Sequence, residues 1–220
     1  MKISPFIVFA QKRDTLLEGC LLSSIAHAIM VSEYPDSSYE QSWDAGNYNI
    51  QDAEGNRGTI SFNDKMVIGA FHALEYEEES LDLLKEVPKS ILEYAEKETF
   101  QHLLDEDEVG VKPFVTSIFW SEYGDSFYSL LPEIEVIERG AFLIETQLKD
   151  IKSAKKHLIE YYNMNHNQAK LLELLFEKKV KNPSSEIVLT DQEIKLMGNA
   201  EVEGIIESKE FLREIGIVWN

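Results

Sequence analysis

Between Asn47 and Ala73 the sequence alternates polar and apolar residues in three short runs separated by turn-forming residues, and a three-stranded antiparallel meander is the arrangement that fits it. Asn47 to Asp52 alternates, Glu54-Gly55-Asn56-Arg57-Gly58 supplies the first turn, and Thr59 to Phe62 alternates again with Ile60 and Phe62 on one face. Asn63-Asp64-Lys65 then turns the chain into Met66 to Ala73. Gly69 inside this third run marks a bulge or a close approach of another group to the backbone.

The segments around the meander have a different period. Thr15 to Val31 reads as a buried helix with Asp14 as its N-cap, carrying Leu16, Leu17, Cys20, Leu21, Ile25, Ala28 and Ile29 on neighbouring turns. Ser80 to Leu104 is helical in pattern with a break at Pro88, and its apolar stripe comprises Ile91, Leu92, Ala95, Phe100, Leu103 and Leu104. Val115 to Trp120 and Phe127 to Leu130 read as further strands around a Gly124-Asp125-Ser126 turn, which brings the sheet to four or five strands. Beyond that the chain is helical: Pro132 to Arg139, Glu145 to Tyr162, a helix after Asn165, a short one after Thr190, and Val202 to Glu214. Asn165 with Gln168, and Thr190 with Glu193, have the spacing of capping boxes, and Ile217-Val218-Trp219 closes the chain as a strand.

The expected class is therefore α+β, with an antiparallel sheet mainly from the N-terminal half packed with helices and a mostly helical C-terminal half. The expected organisation is an α+β lobe over 1–130 and a mostly helical lobe over 131–220, packed as one unit. At 25.3 kDa such a chain can bury about 70 % of its surface, so neither a disulfide nor a metal is required for folding.

Most chemical classes find no support. Gly55 and Gly58 fall in a hairpin turn rather than between a strand and a helix, so they are not a nucleotide loop. Asp105-Glu106-Asp107-Glu108-Val109-Gly110 starts like a calcium loop, but Thr116 stands where a bidentate Glu is required. His27, His72, His102, His157 and His166 have no metal-ligand spacing, and the single Cys20 can build neither a disulfide nor a cysteine zinc site. No catalytic residue, metal or cofactor is assigned. Cys20 and the absence of a disulfide favour a reducing cytoplasm. Pro5 to Ala10 is too short for a leader, and Glu18 puts a charge into the lipoprotein-like Leu17-Glu18-Gly19-Cys20 and into the apolar 15–31 segment.

Charge carries what remains of the functional argument. The net charge is −19, which opposes a nucleic-acid or anionic-membrane partner, because both select for lysine and arginine. Residues 75–108 hold 13 carboxylates against three basic residues, a balance of −10, whereas 139–182 hold nine basic residues against five carboxylates, a balance of +4. The expectation is an acidic protein that binds another protein, in concrete form an inhibitor or immunity-type protein covering a basic partner. The contact candidates are Glu77, Glu78, Glu79, Asp82, Asp105, Glu106, Asp107 and Glu108, with Trp43 and Tyr48 from the aromatic string Trp43-Asp44-Ala45-Gly46-Asn47-Tyr48-Asn49. A homo-oligomer is a second arrangement, with Lys149, Lys152, Lys155, Lys156, Lys178, Lys179 and Lys181 facing the acidic stretch. The alternative function is an enzyme or small-molecule-binding protein with a site between the sheet and the helical half, using His72 or His102 with nearby carboxylates.

Overall fold

The computed structural model describes residues 4–76, 84–107, 110–123, 126–198 and 202–219. The protein is α+β, with a seven-stranded antiparallel sheet and several helices. In chain order the elements are β1 (Phe6–Val8), α1 (Arg13–Val31), β2 (Gln41–Asp44), β3 (Asn47–Gln51), β4 (Arg57–Phe62), β5 (Met66–His72), α2 (Lys89–Lys97), β6 (Leu104–Asp107), β7 (Gly110–Pro113), β8 (Ser117–Glu122) and β9 (Phe127–Ser129). They continue with α3 (Glu133–Glu138), α4 (Ile151–Tyr161), α5 (His166–Lys181), β10 (Ile187–Val188), α6 (Asp191–Ile194), α7 (Val202–Glu214) and β11 (Ile217–Val218). The chain divides into two compact units, one comprising residues 1–14 and 44–145, the other 15–43 and 146–220.

In the first unit the strand order is β1-β9-β8-β5-β4-β3, and the expected meander is its β3-β4-β5 portion. The sheet is wider than its local patterns imply. The Pro5 to Ala10 run contributes β1, a three-residue edge strand paired with Phe127–Ser129, more than a hundred residues away in sequence. Strand β5 lies between β4 and β8 and is buried on both faces, so its sequence reads as a nearly unbroken apolar run. Ile68 and Ala70 pack on one side with Ile118, Trp120, Ile91, Ala95, Phe100 and Leu103. Phe71 and Phe119 fall on the alternate set. There Phe119 meets Phe9 edge-on at 5.2 Å, Phe127 edge-on at 5.4 Å and Phe71 at 6.1 Å between ring centroids.

Gly69 sits opposite Phe119 in an uninterrupted register, so it marks a close approach and not a bulge. A Cβ there would lie inside contact distance of the Phe119 ring, 2.9 Å from its Cδ1. A second fixed point is Thr116, whose buried Oγ1 accepts from Ala73 N–H at 3.0 Å and lies 2.6 Å from the Arg139 carbonyl, to which it donates. One hydroxyl thus joins the end of β5, the approach to β8 and the end of α3. Thr116→Val is expected to cost about 1–3 kcal/mol by orphaning buried backbone groups, with Thr116→Ser close to neutral, read as the difference in urea midpoints at constant slope.

The helical stretch expected over 80–104 with a break at Pro88 appears in its described part with that break but ends earlier than its period suggests. Only Leu84 and Lys85 and then Lys89–Lys97 are α-helical; Thr99–His102 tightens into a 3-10 turn, and Leu104–Asp107 is a strand. Residues 80–83 lie outside the description. The acidic run leaves the helix because it pairs with Gly110–Pro113 as a separate two-stranded sheet.

The second unit is built on α1. Leu22, Ile25, Ala26 and Ile29 pack with Ala154 and Leu158 of α4, Leu171, Leu172 and Leu175 of α5, and Phe211 and Leu212 of α7. The helix begins at Arg13, which puts Asp14 in its first turn instead of at the cap. Helix α1 has the length and composition to cross a membrane, yet 72 % of its apolar window is buried within the protein. Close backbone approach requires small residues: Gly19 of α1 faces the main chain of Gln147, and Gly204 of α7 faces the carbonyl of Ser32. Both capping boxes form, Asn165 with Gln168 and Thr190 with Glu193. Helix α4 starts at Ile151, later than its period suggests, because the Asp150 side chain accepts from Ser153 N–H and fixes the start there. Strand β11 closes the unit by pairing in parallel with β10.

Candidate functional site

The acidic run emerges as the β6–β7 hairpin, held at its base by Leu103 and Val115, 0 % and 2 % exposed. The Phe114 N–H donates to the Leu103 carbonyl at 2.9 Å, and the register continues outward as Leu104 opposite Pro113, Asp105 opposite Lys112, and Glu106 opposite Val111. Side chains alternate along each strand, so Leu104, Glu106, Val111 and Pro113 share one face while Asp105 and Lys112 share the other.

The two faces differ in chemistry. Asp105 is turned toward the main sheet, where its Oδ1 lies 3.1 Å from the Arg57 guanidinium and its Oδ2 3.6 Å from His72 Nδ1. The same guanidinium reaches the Leu104 carbonyl at 3.4 Å. Phe114 covers the His72 imidazole, ring centroids 4.4 Å apart and planes inclined by 31°. His72 is only 4 % exposed, and its Nδ1 has no hydrogen-bond partner. Burial pushes its pKa below the ordinary 6.5; the positive charge of Arg57 adds to that, and Asp105 opposes it. On the other face Leu104 and Val111 are 39 % and 64 % exposed, and Glu106 beside them is exposed too. This face combines apolar surface with an unburied carboxylate.

The other contact candidates distribute as follows. Glu77, Glu78, Glu79, Asp82 and Glu108 lie outside the described residues; Asp107 contributes its backbone to β6. Tyr48 has no exposed surface and is a core residue, because the Asn47–Tyr48 end of β3 is buried where it pairs with Ser61 and Ile60 of β4. Trp43 is half-buried, its backbone N–H donating to Glu214 Oε2 at 2.8 Å and its indole N–H to Ser24 Oγ at 2.7 Å. Ala45 and Gly46 after it, with φ of 47° and 97°, form the tight turn between β2 and β3. The string is hairpin architecture, with its aromatic groups directed inward. In the basic stretch, Lys155 pairs with Glu173, Lys156 with Glu160, Lys178 with Glu193 and Lys181 with Glu177, while Lys179 is buried near the Ser185 carbonyl. Much of that positive charge is answered within its own unit.

The histidines of the alternative reading each have a carboxylate nearby, Asp105 for His72 and, at 3.8 Å, Asp44 for His102. Among the described residues no three His, Cys, Asp or Glu side chains gather as a metal site. Cys20 is fully buried, and burial raises its thiol pKa, which suppresses the reactive thiolate. His27 is buried in the second unit with Nδ1 3.2 Å from the Tyr162 hydroxyl; burial lowers its pKa to about 4 and raises that of Tyr162.

Arg57 and Phe114 escape a sequence reading because nothing local joins them to Asp105. The exposed Leu104 and Val111 had a weak signal, apolar residues interleaved with charged ones, hidden by the density of carboxylates. No protein-family model matches the chain, and neither the curated proteins nor the solved structures include a match to it.

Proposed function

We propose that this chain is a cytoplasmic protein-binding protein that docks a basic partner on the outward face of the β6–β7 hairpin, in the manner of an inhibitor or immunity-type protein. The observation that carries the reading is the pairing, on one face, of exposed Leu104 and Val111 with the carboxylate of Glu106, beside a turn whose sequence adds further acid. Apolar groups in the middle of such a face supply contact energy, and the surrounding charge speeds encounter and selects the sign of the partner. The net charge of −19 extends the same field. Asp105 has a different part in this reading: committed to Arg57, it orients the hairpin.

The test is affinity capture with the intact protein beside a Val111→Asp/Glu106→Lys variant, at about 0.1 M and about 1 M salt, where the screening length falls from about 10 Å to about 3 Å. A basic protein retained at low salt, released at high salt and bound at least about tenfold more weakly by the variant is the expected result. Equal retention by the two baits removes the hairpin from the interaction.

A further inference from the structure

The hairpin rests on a buried imidazole, that of His72, and on a single carboxylate that faces two basic groups. One carboxylate, Asp105, faces both the Arg57 guanidinium at 3.1 Å and the His72 imidazole at 3.6 Å. At neutral pH the count works: Arg57 and Asp105 cancel, and a neutral imidazole fits under Phe114. We propose that His72 is an acid-sensitive latch for the β6–β7 hairpin, holding it against the sheet while the imidazole is neutral and releasing it when the imidazole takes up a proton.

The argument is geometric first. A charged imidazole here would be almost wholly removed from water, would lie across the strand pair from Arg57, its register partner on β4, and would share with it a carboxylate that is itself half-exposed. Among the described residues the charged groups that act on it are Arg57 from β4 and Asp105 from β6, with Lys112 of β7 on the same hairpin face as Asp105; the residues leading into β8 present the neutral Phe114 and Thr116. What can give way is also defined. Leu103 and Val115 anchor the hairpin in the core, while Leu104, Glu106 and Val111 of the two strands between them are exposed, so a swing of β6 and β7 about the two anchors hydrates His72 without unfolding the main sheet.

The direction follows by linkage. In the closed state the pKa of His72 lies below the ordinary 6.5, and in a hydrated state it returns toward that value. The closed state therefore binds fewer protons between the two values, and lowering the pH through that window favours the open state. This inference does not depend on what the outward face binds.

The test follows, in the labelled full-length protein, the His72 imidazole resonances and the backbone amides of Glu106 and Val111 from about pH 8 to about pH 5. The expected result is one shared midpoint below 6.5 for imidazole and hairpin, and loss of the hairpin transition in His72→Gln. Phe114→Leu, which thins the cover over the ring, is expected to raise both midpoints together, and this variant decides the matter if His72→Gln does not fold. Hairpin amides that stay flat while His72 titrates, or midpoints that separate in Phe114→Leu, overturn the latch.

Discussion

Replacing Gly19 by alanine is expected to lower the stability of the protein by about 3 kcal/mol, although by helix propensity alone the change should raise it by about 1 kcal/mol. Gly19 lies inside α1, where alanine is intrinsically better, but a Cβ at that position would come 3.0 Å from both the carbonyl carbon and the Cα of Gln147 and closer still to the carbonyl oxygen. A flexible side-chain end can step aside from such a contact; a backbone carbonyl moves only with its segment. Gln147 is 2 % exposed, and its amide donates to Ser23 Oγ at 3.2 Å, so the segment has little room to retreat. Steric exclusion thus outweighs propensity. Urea unfolding checks it: a lower midpoint at unchanged slope is expected, and a midpoint equal to or above the parent's means that α1 and Gln147 do not approach as described. Gly204→Ala has the same sign for the same reason, its Cβ falling 2.7 Å from the carbonyl carbon of Ser32.

Acidification from pH 6.5 to about pH 4 is expected to remove about 3 kcal/mol through His27 alone. The imidazole is neutral in the folded state, with its pKa lowered to about 4 by burial, and ordinary at 6.5 in the unfolded chain. Between those values the unfolded state binds more protons, so stability rises with pH; the contribution is complete above 6.5 and is lost as pH falls toward 4. The cleanest window is its upper part, before most carboxylates titrate. His27→Phe is expected to be about 1 kcal/mol less stable at neutral pH, through loss of the contact with Tyr162, but to show a shallower fall in stability between pH 6.5 and 5. Parallel pH profiles for the two proteins exclude a buried neutral imidazole at this position.

The parts of the fold that were legible in the sequence are those whose determinants are local. The 47–73 meander needs only alternation and turn residues, and the Asn165 and Thr190 boxes need a four-residue spacing, so all three appear where the pattern puts them, except that Arg57 and Gly58, expected in the first turn, open strand β4. Strand β1 is opaque because three residues carry no period and its partner is Phe127–Ser129. The extent of the 80–104 helix was overestimated because apolar residues at helical spacing also suit a 3-10 turn followed by a strand, and pairing with Gly110–Pro113 decides between them. At the candidate site the acidic run was visible, but not its division into an inward Asp105 and an outward Glu106. That division depends on Arg57 and His72, which are distant in sequence. Tyr48 shows the same limit: alternation locates β3, but the complete burial of this ring belongs to the Asn47–Tyr48 end of the strand, where Tyr48 lies opposite the buried Ile60 of β4, while Ile50 on the same face stays half-buried.

The unit that contains α1 is discontinuous, resuming only at Thr146 and closing with β11 near the end of the chain. During synthesis at about 5–20 residues per second, roughly 115 further residues must be made after Val31 before the chain reaches the segment that supplies the helices packed on α1, a delay of roughly 6–23 s. For that interval an apolar segment of membrane-spanning length exists with its helical neighbours still untranslated. The nascent chain thus presents to chaperones and targeting factors a segment that the finished protein hides.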